Sequence, residues 1–192
     1  MSDSPLVRDR VELKYRVSTS DAEALLERLP ARRTSWITTT YLDTPDRRLL
    51  RAARRDPRAC VKVRLRSYHD SPLVWVELKE RRGDRTRKER VAVSSAGVPD
   101  VLRRLAPGVE VPVGEVRCRR TSVESGVRLT VDQAIRYRVL GAPDFAEEGA
   151  VVELKRADDR VPGWCSDVLH GLMPEEYTKF GVISRLHEAP VA

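Results

Sequence analysis

The sequence predicts a mainly β, α+β domain whose antiparallel strands close into a barrel with flanking helices. Three observations carry that prediction. About eight short segments alternate apolar and charged residues with a period of two, the spacing of strands with two unlike faces. The helical signals between them are few and short, so no strand–helix rhythm of a parallel sheet is present. A chain of 192 residues is long enough for one well-cored domain and contains no long linker. The domain is expected over residues 8–187, with residues 1–7 and 188–192 as flexible termini.

Val11–Val17 alternates strictly and is the first strand. Ser20-Asp21-Ala22-Glu23 has the form of a capping box and opens a helix through Leu25, Leu26 and Leu29, stopped by Pro30. Ser35–Leu42 is rich in β-branched and aromatic residues and reads as a strand. Thr44-Pro45-Asp46 reads as a helix start, with Thr as N-cap and Pro in the first helical position, and that helix ends near Asp56-Pro57. Cys60–Tyr68 and Leu73–Arg81 form a hairpin about His69-Asp70-Ser71-Pro72. The turn Arg81-Arg82-Gly83-Asp84 leads to a strand at Thr86–Val93. A short helix follows at Pro99–Leu105. Val116–Val123 and Gly126–Asp132 make another hairpin, then come strands at Ile135–Leu140 and Ala150–Arg156, with a loop over Gly141–Gly149. Helical pieces near Trp164–Leu172 and Glu175–Leu186 close the chain.

Composition narrows the class of partner. Charged residues make up 34%, hydrophobic residues 41% and aromatic residues 5%, and the formal net charge is +7. A basic balance points to an anionic ligand. Aromatic residues are too few, and too seldom set among the basic strands, for a nucleic-acid stacking platform. Cys60, Cys118 and Cys165 are far apart and odd in number, and with only three histidines they argue against a zinc site and a disulfide framework. His69, His170 and His187 read as structural, and Trp36, Trp75 and Trp164 as packing residues. The polar, charged stretch Met1–Arg10 is unlike a signal peptide, and no apolar run approaches the ~20 residues of a membrane span. The expected location is the cytoplasm, with any membrane association supplied by another chain.

The informative feature is where the charge lies. Residues at i, i+2 and i+4 of a strand share a face. Glu12, Lys14 and Arg16 oppose Val11, Leu13, Tyr15 and Val17; Lys62, Arg64 and Arg66 oppose Val61, Val63 and Leu65; Glu77 and Lys79 oppose Val76 and Leu78. Lys88 and Arg90 oppose Val91 and Val93, Arg128, Thr130 and Asp132 oppose Leu129 and Val131, and Glu153 and Lys155 oppose Val152 and Leu154. An ordinary half-buried sheet would turn such faces to water. The triplet Glu-Leu-Lys at 12–14, 77–79 and 153–155, repeated across a small chain, favours the inverse arrangement. In that arrangement helices cover the apolar face and the charged face lines a lumen. Packed cations repel by ~1 kcal/mol per pair in water and by ~4 kcal/mol at an effective dielectric of 20. Glu12, Glu77, Asp132 and Glu153 relieve part of this, and a chain of phosphates would relieve the rest. Arg offers bidentate forks to such a chain, and Lys a mobile point charge.

Glu12-Leu13-Lys14-Tyr15, Tyr41-Leu42-Asp43-Thr44, Lys62-Val63-Arg64-Leu65-Arg66, Glu77-Leu78-Lys79, Lys88-Glu89-Arg90, Arg128-Leu129-Thr130-Val131-Asp132, Glu153-Leu154-Lys155 and Thr178-Lys179-Phe180 occur in this order. In that order they resemble the polyphosphate-polymerase domain of the vacuolar transporter chaperone (VTC) family. That domain is a triphosphate tunnel metalloenzyme, also called CYTH-like. The resemblance runs over roughly residues 8 to 186. It implies a tunnel barrel, and transfer of the terminal phosphate of ATP to a polyphosphate chain with Mn²⁺ or Mg²⁺. By the same resemblance, Lys14, Arg64, Arg66 and Lys179 are the candidate catalytic residues, and with Lys62, Lys79, Lys88, Arg90, Arg120, Lys155 and Thr178 they form the phosphate-binding set. Glu153 matches the metal-binding glutamate, with Glu12 and Glu77 as further candidates. The chain departs from the family pattern at Cys118, where Tyr is usual, and at Thr178, where Ser is usual. The implied ligands are ATP and pyrophosphate, triphosphate or polyphosphate, without specific nucleic acid. Two alternatives stand beside the polymerase: an inorganic or nucleoside triphosphatase, and a non-catalytic polyphosphate-binding module.

Overall fold

The computed structural model describes residues 11–30, 32–56, 59–82, 85–156 and 161–187. The expected termini at 1–7 and 188–192, and Pro57 and the Gly83-Asp84 tip of the expected turn, lie outside these residues. Nine strands form one antiparallel sheet: β1 (Val11–Val17), β2 (Arg33–Asp43), β3 (Ala59–Tyr68), β4 (Val74–Arg82), β5 (Arg85–Val93), β6 (Val111–Ser125), β7 (Val127–Val139), β8 (Phe145–Ala146) and β9 (Ala150–Arg156). Their order is β1-β9-β7-β6-β2-β3-β4-β5, with β8 added beside β7. Five α-helices are described: α1 (Thr19–Arg28), α2 (Arg48–Arg55), α3 (Val98–Leu105), α4 (Gly163–Leu169) and α5 (Lys179–Leu186).

The sheet is curled about its charged face. Six steps across the sheet separate β1 from β4, yet Lys79 Nζ of β4 lies 3.4 Å from Glu12 Oε2 of β1. The closure expected from the sequence is therefore made by side chains. Among the described residues no backbone ladder joins β1 to β5, and the sheet is a half-barrel.

The convex face carries two cores. Tyr15, Val17, Leu129, Val131, Val152 and Leu154 pack with Ala22 and Leu25 of α1 and with Cys165 and Val168 of α4. Leu42 and Val63 pack with Leu49 of α2, with Ala106 and Val109, and with the partly buried Leu65, Leu78 and Leu102. The alternation in β1, β3, β4 and β9 thus points its apolar side outward, under the helices.

A third core lies inside the curl and has no counterpart in the sequence reading. Phe180, Val182 and Ile183 of α5 pack among Ile37, Tyr41, Val113, Val116, Ile135, Tyr137 and Val139. A one-residue bulge makes this core. On β7 the even-numbered Thr130 and Asp132 share the charged face, through their pairing with Ser122 and Arg120. The register then shifts by one, with Ala134 at φ 50°, and the odd-numbered Tyr137 pairs with Val116 on the same face. One strand therefore presents an acid at one end of the lumen and an apolar wall at the other. Sequence alternation suggested two strands, Gly126–Asp132 and Ile135–Leu140; they are one bent strand. Gly114 completes the seat of α5, because a Cβ there would stand 2.9 Å from Ile183 Cγ2.

Helix starts also differ from expectation, each because another group supplies the cap. Ser18, not Ser20, caps α1 and accepts from Asp21 N at 3.0 Å. At α2 the fully buried Asp43 carboxylate accepts from Leu49 N and Leu50 N, both at 2.9 Å, so Thr44-Pro45-Asp46 is a turn and the helix begins at Arg48. Glu175 N bonds Lys14 O at 2.7 Å, so the last helix begins only at Lys179, capped by Thr178.

Candidate functional site

In an antiparallel ladder, residues directly opposite each other share a face. The rows can be followed across the sheet. Lys88, Lys79 and Lys62 form one row, and Arg90, Glu77, Arg64 and Tyr41 the next. Arg120 stands opposite Asp132 and Ser35. Lys14, Glu153 and Thr130 form a row on the far wall, beside Glu12, Lys155 and Arg128. Lys14, Lys62, Arg64, Arg66, Lys79, Lys88, Arg90, Arg120 and Lys155 all lie on this concave face, and Lys179 reaches it from the first turn of α5.

Three acidic centres organise these cations. Glu77, 1% exposed, takes Arg64 Nε at 2.5 Å and Arg66 at 3.9 Å on one oxygen, and Arg90 Nε at 3.0 Å and Lys88 at 3.3 Å on the other. Burial alone would raise its carboxyl; Arg64, Arg66, Lys88 and Arg90 override that and hold it well below the usual carboxylate range. Asp132, equally enclosed, accepts both forks of Arg120 at 2.6 Å and Lys179 Nζ at 2.5 Å, and is likewise held ionised against its burial. Glu12 faces Lys14 at 3.0 Å, Lys79 at 3.4 Å and Lys155 at 3.9 Å, while Glu153 faces Lys155 at 3.1 Å. Glu12 is also held low: burial opposes this, but a hydrogen bond with Glu153 and the three lysines prevail.

The lysines pay for this crowding. Lys62, whose ammonium lies 5.6 Å from the Phe180 ring, is lowered by burial and by Lys79 and Lys14. Lys88 is lowered to about 8, first by burial and then by Arg64, Arg66 and Arg90, against the pull of Glu77.

The carboxylates differ as candidate metal ligands. Glu77, named with Glu153 and Glu12 from the sequence, meets Arg64 and Arg66 through one oxygen and Arg90 and Lys88 through the other, and is an ion-pair hub. Glu153 and Glu12 touch one another, face lysines only, and lie beside Thr130, whose buried hydroxyl has no hydrogen-bond partner. Among the described residues no group of three or more His, Cys, Asp or Glu forms a cage. Two carboxylates and a hydroxyl suit a hard cation that keeps waters and shares phosphate oxygens.

Several further residues shape the lumen and its mouth. Tyr41, 3% exposed, lies against Phe180 with ring centroids 5.3 Å apart and bonds Arg64; burial would raise its phenol, but Arg64, Arg66 and Lys179 lower it. Tyr68 and Trp75 stand at the other end with Arg90, whose guanidinium lies 3.6 Å from the Trp75 ring centre. Trp75, read from the sequence as packing, lines a mouth cavity of about 700 Å³ with Arg90, Arg120, Arg128, Tyr68 and Ser35. Thr178 caps α5 through its hydroxyl, which accepts from Gly181 N at 2.9 Å, and so stands at the start of the helix that carries Lys179. Cys118 is buried on the lumen face, its thiol pushed up to about 11 by burial and by Asp132.

With this geometry in place, comparison with known proteins decides the family. The model of the VTC domain family matches residues 2–111. The chain belongs to the VTC domain family. The matched part carries Glu12, Lys14, Arg64, Arg66, Glu77, Lys79, Lys88 and Arg90 and ends before Arg120, Asp132, Glu153 and Lys179. Solved structures extend the likeness of fold over 91–95% of the chain. One is an adenylyl cyclase candidate from Hippeastrum with a dominant triphosphatase activity, at TM-score 0.61 and 16% identity, covering 95% of this chain and 98% of that one. Another is an adenylate cyclase candidate from Vibrio parahaemolyticus, at TM-score 0.58 and 16% identity, covering 91% and 97%. The PH1819 protein of Pyrococcus horikoshii gives TM-score 0.58 and 17% identity, covering 91% and 96%. These are CYTH-like tunnel folds, and the half-barrel of this chain is of that type. Comparison with curated proteins gave no match. Among the described residues no helix is long and apolar enough to cross a membrane.

Proposed function

We propose that the lumen binds a chain of phosphates and that the protein is a cytoplasmic, metal-dependent phosphotransferase, moving the γ-phosphate of ATP to polyphosphate. One observation carries this reading. Among the described residues, at least ten cations share the concave face with the carboxylates of Glu12, Glu77, Asp132 and Glu153, a surplus of positive charge left for a ligand to neutralise. A triphosphate or longer polyanion fits that surplus better than a single phosphate.

Phosphoryl transfer asks for positioning and charge neutralisation more than for covalent help. Arg64 and Arg66, fixed by Glu77, and Arg120, fixed by Asp132, would hold equatorial phosphate oxygens with forks already oriented. Lys179 would move from Asp132 to the transferred phosphate, and Lys14 would hold the neighbouring one. An acceptor phosphate is already anionic, so no general base is needed. Glu153 and Glu12, with the Thr130 hydroxyl, would hold Mn²⁺ or Mg²⁺, which when bound would neutralise charge on the phosphates.

A hydrolase is the second reading, favoured by the triphosphatase activity of the Hippeastrum neighbour. Incubation of the protein with ATP and Mn²⁺, followed by gel separation of polyphosphate from orthophosphate, tests both. A ladder of polyphosphate supports the polymerase. Orthophosphate alone makes the protein a triphosphatase, and neither product leaves a binding module.

A further inference from the structure

The outer wall of β6 and β7 carries a second set of cations that the lumen does not use. Arg117 and Arg119 alternate with the lumen-facing Cys118 and Arg120 and so point outward; all of Arg117, Arg119, Arg136 and Arg138 are exposed. Arg117 and Arg136 stand directly opposite each other in the ladder. Like charges in that position destabilise a sheet. Among the described residues neither arginine of the pair is in an ion pair; Arg117 meets the Trp36 ring, at 4.9 Å, and Glu115 is the acid nearest along the strand on that face. Arg119 bonds the neutral Gln133, and Arg138 stands opposite Glu115 in the ladder with the exposed Asp144 at 3.8 Å, so two acids meet four arginines on this face. The outer helices leave this stretch uncovered, since their cores lie on Leu129 and Val131 to one side and Val63 and Leu65 to the other.

We infer that this arginine face binds the part of a polyphosphate chain that extends beyond the lumen. The inference rests on the reading of the lumen given above. One end of the lumen is filled by Phe180 and Ile183, so a chain longer than the lumen crosses the open mouth. Arg32, Arg33 and Arg128 rim that mouth. Four guanidinium forks at strand spacing suit a flexible string of phosphates better than one compact anion.

The test measures binding of tripolyphosphate and of polyphosphate about 100 units long, without turnover. The variant combines Arg117→Gln, Arg119→Gln, Arg136→Gln and Arg138→Gln. A control with the same charge loss combines Arg48→Gln, Arg55→Gln, Arg103→Gln and Arg104→Gln. The variant should weaken long-chain binding about tenfold or more at 0.1 M salt, and lower the slope of log affinity against log salt by about 2 to 3. Tripolyphosphate binding should be unchanged. Arg136→Glu alone should raise the melting temperature, by relieving Arg117, and still weaken the long chain. Equal loss in variant and control would overturn the inference. So would a larger loss for RNA of matched charge, or for vesicles of anionic lipid, than for polyphosphate. Failure of tripolyphosphate to bind the unaltered protein would instead overturn the lumen reading, leaving the long-chain result to judge the outer face.

Discussion

Two acidic centres of the same lumen are built for different work. The Glu77 carboxylate is 1% exposed and surrounded by three arginines and a lysine. The Glu12–Glu153 pair is partly exposed and meets only lysines. Arginine cannot lose its charge, and its fork locks onto a carboxylate; lysine is a mobile point charge. The first centre is a fixed frame that holds guanidinium groups against their own repulsion. The second can exchange partners, as a site for a metal and a moving phosphate must.

The largest expected effect tests the frame. Glu77→Ala leaves Arg64 and Arg66 buried without a counter-charge, which costs about 3–5 kcal/mol, the range for breaking a buried ion pair. At about 2–4 °C per kcal/mol the melting temperature should fall by roughly 6–20 °C. A fall of under about 2 °C would erase the contrast with Glu12. Glu153→Gln should do the reverse. Metal-dependent turnover should drop about a hundredfold or more, while tripolyphosphate still binds and the melting temperature barely moves. Wild-type turnover in that variant would remove Glu153 from the metal site.

The next effect reads both centres together. A ligand at a hundredfold excess over Kd stabilises the fold by ~2.7 kcal/mol, so tripolyphosphate should raise the melting temperature by roughly 5–11 °C. Sulfate at equal ionic strength should do far less. Arg64→Ala with Arg66→Ala should abolish most of the shift, and if it survives, the frame is not where phosphate sits. The smallest effect concerns pH. Lys88, lowered to about 8, loses its proton in the empty fold before the unfolded chain does. From about pH 8 up to the ordinary lysine range the unfolded state therefore holds the extra proton, and stability from this group rises with pH. Phosphate favours charged Lys88, so tripolyphosphate affinity should weaken a few-fold above pH 8, with proton uptake on binding measurable by calorimetry in two buffers. Affinity flat to pH 10 would place Lys88 away from the ligand. Glu77 and Asp132 carry the opposite sign: both are held low, so their contribution is present above the ordinary carboxylate range, about pH 4, and is lost in acid.

The charged rows were legible in the sequence because a strand's period of two needs no knowledge of its partners. Lys62, Arg64 and Arg66 announce a shared face wherever the strand lies. What faces that row depends on register, and register is not written locally. Nothing near Glu77 in the chain marks it as the hub of four cations, and as a lone acid in Glu-Leu-Lys it looks equivalent to Glu12 and Glu153. The apolar half of the lumen was hidden for a related reason. One residue at Ala134 exchanges the faces of β7, so Ile135, Tyr137 and Val139 read as another outward-packed strand. Phe180 and Ile183 look like the buried side of any short helix, with no sign that the side faces inward.

The seam between β1 and β5 has a consequence for solubility. Among the described residues β1 and β5 each lack a ladder partner on their outer side, and such edges invite other chains to add to the sheet. Here both edges carry charge: Glu12, Lys14 and Arg16 on β1, and Arg87, Lys88, Glu89 and Arg90 on β5. Charged side chains along an edge disfavour the addition of a further strand. The residues that gather phosphate thus also keep copies of the chain apart, and substitutions that neutralise them trade ligand affinity for a tendency to aggregate.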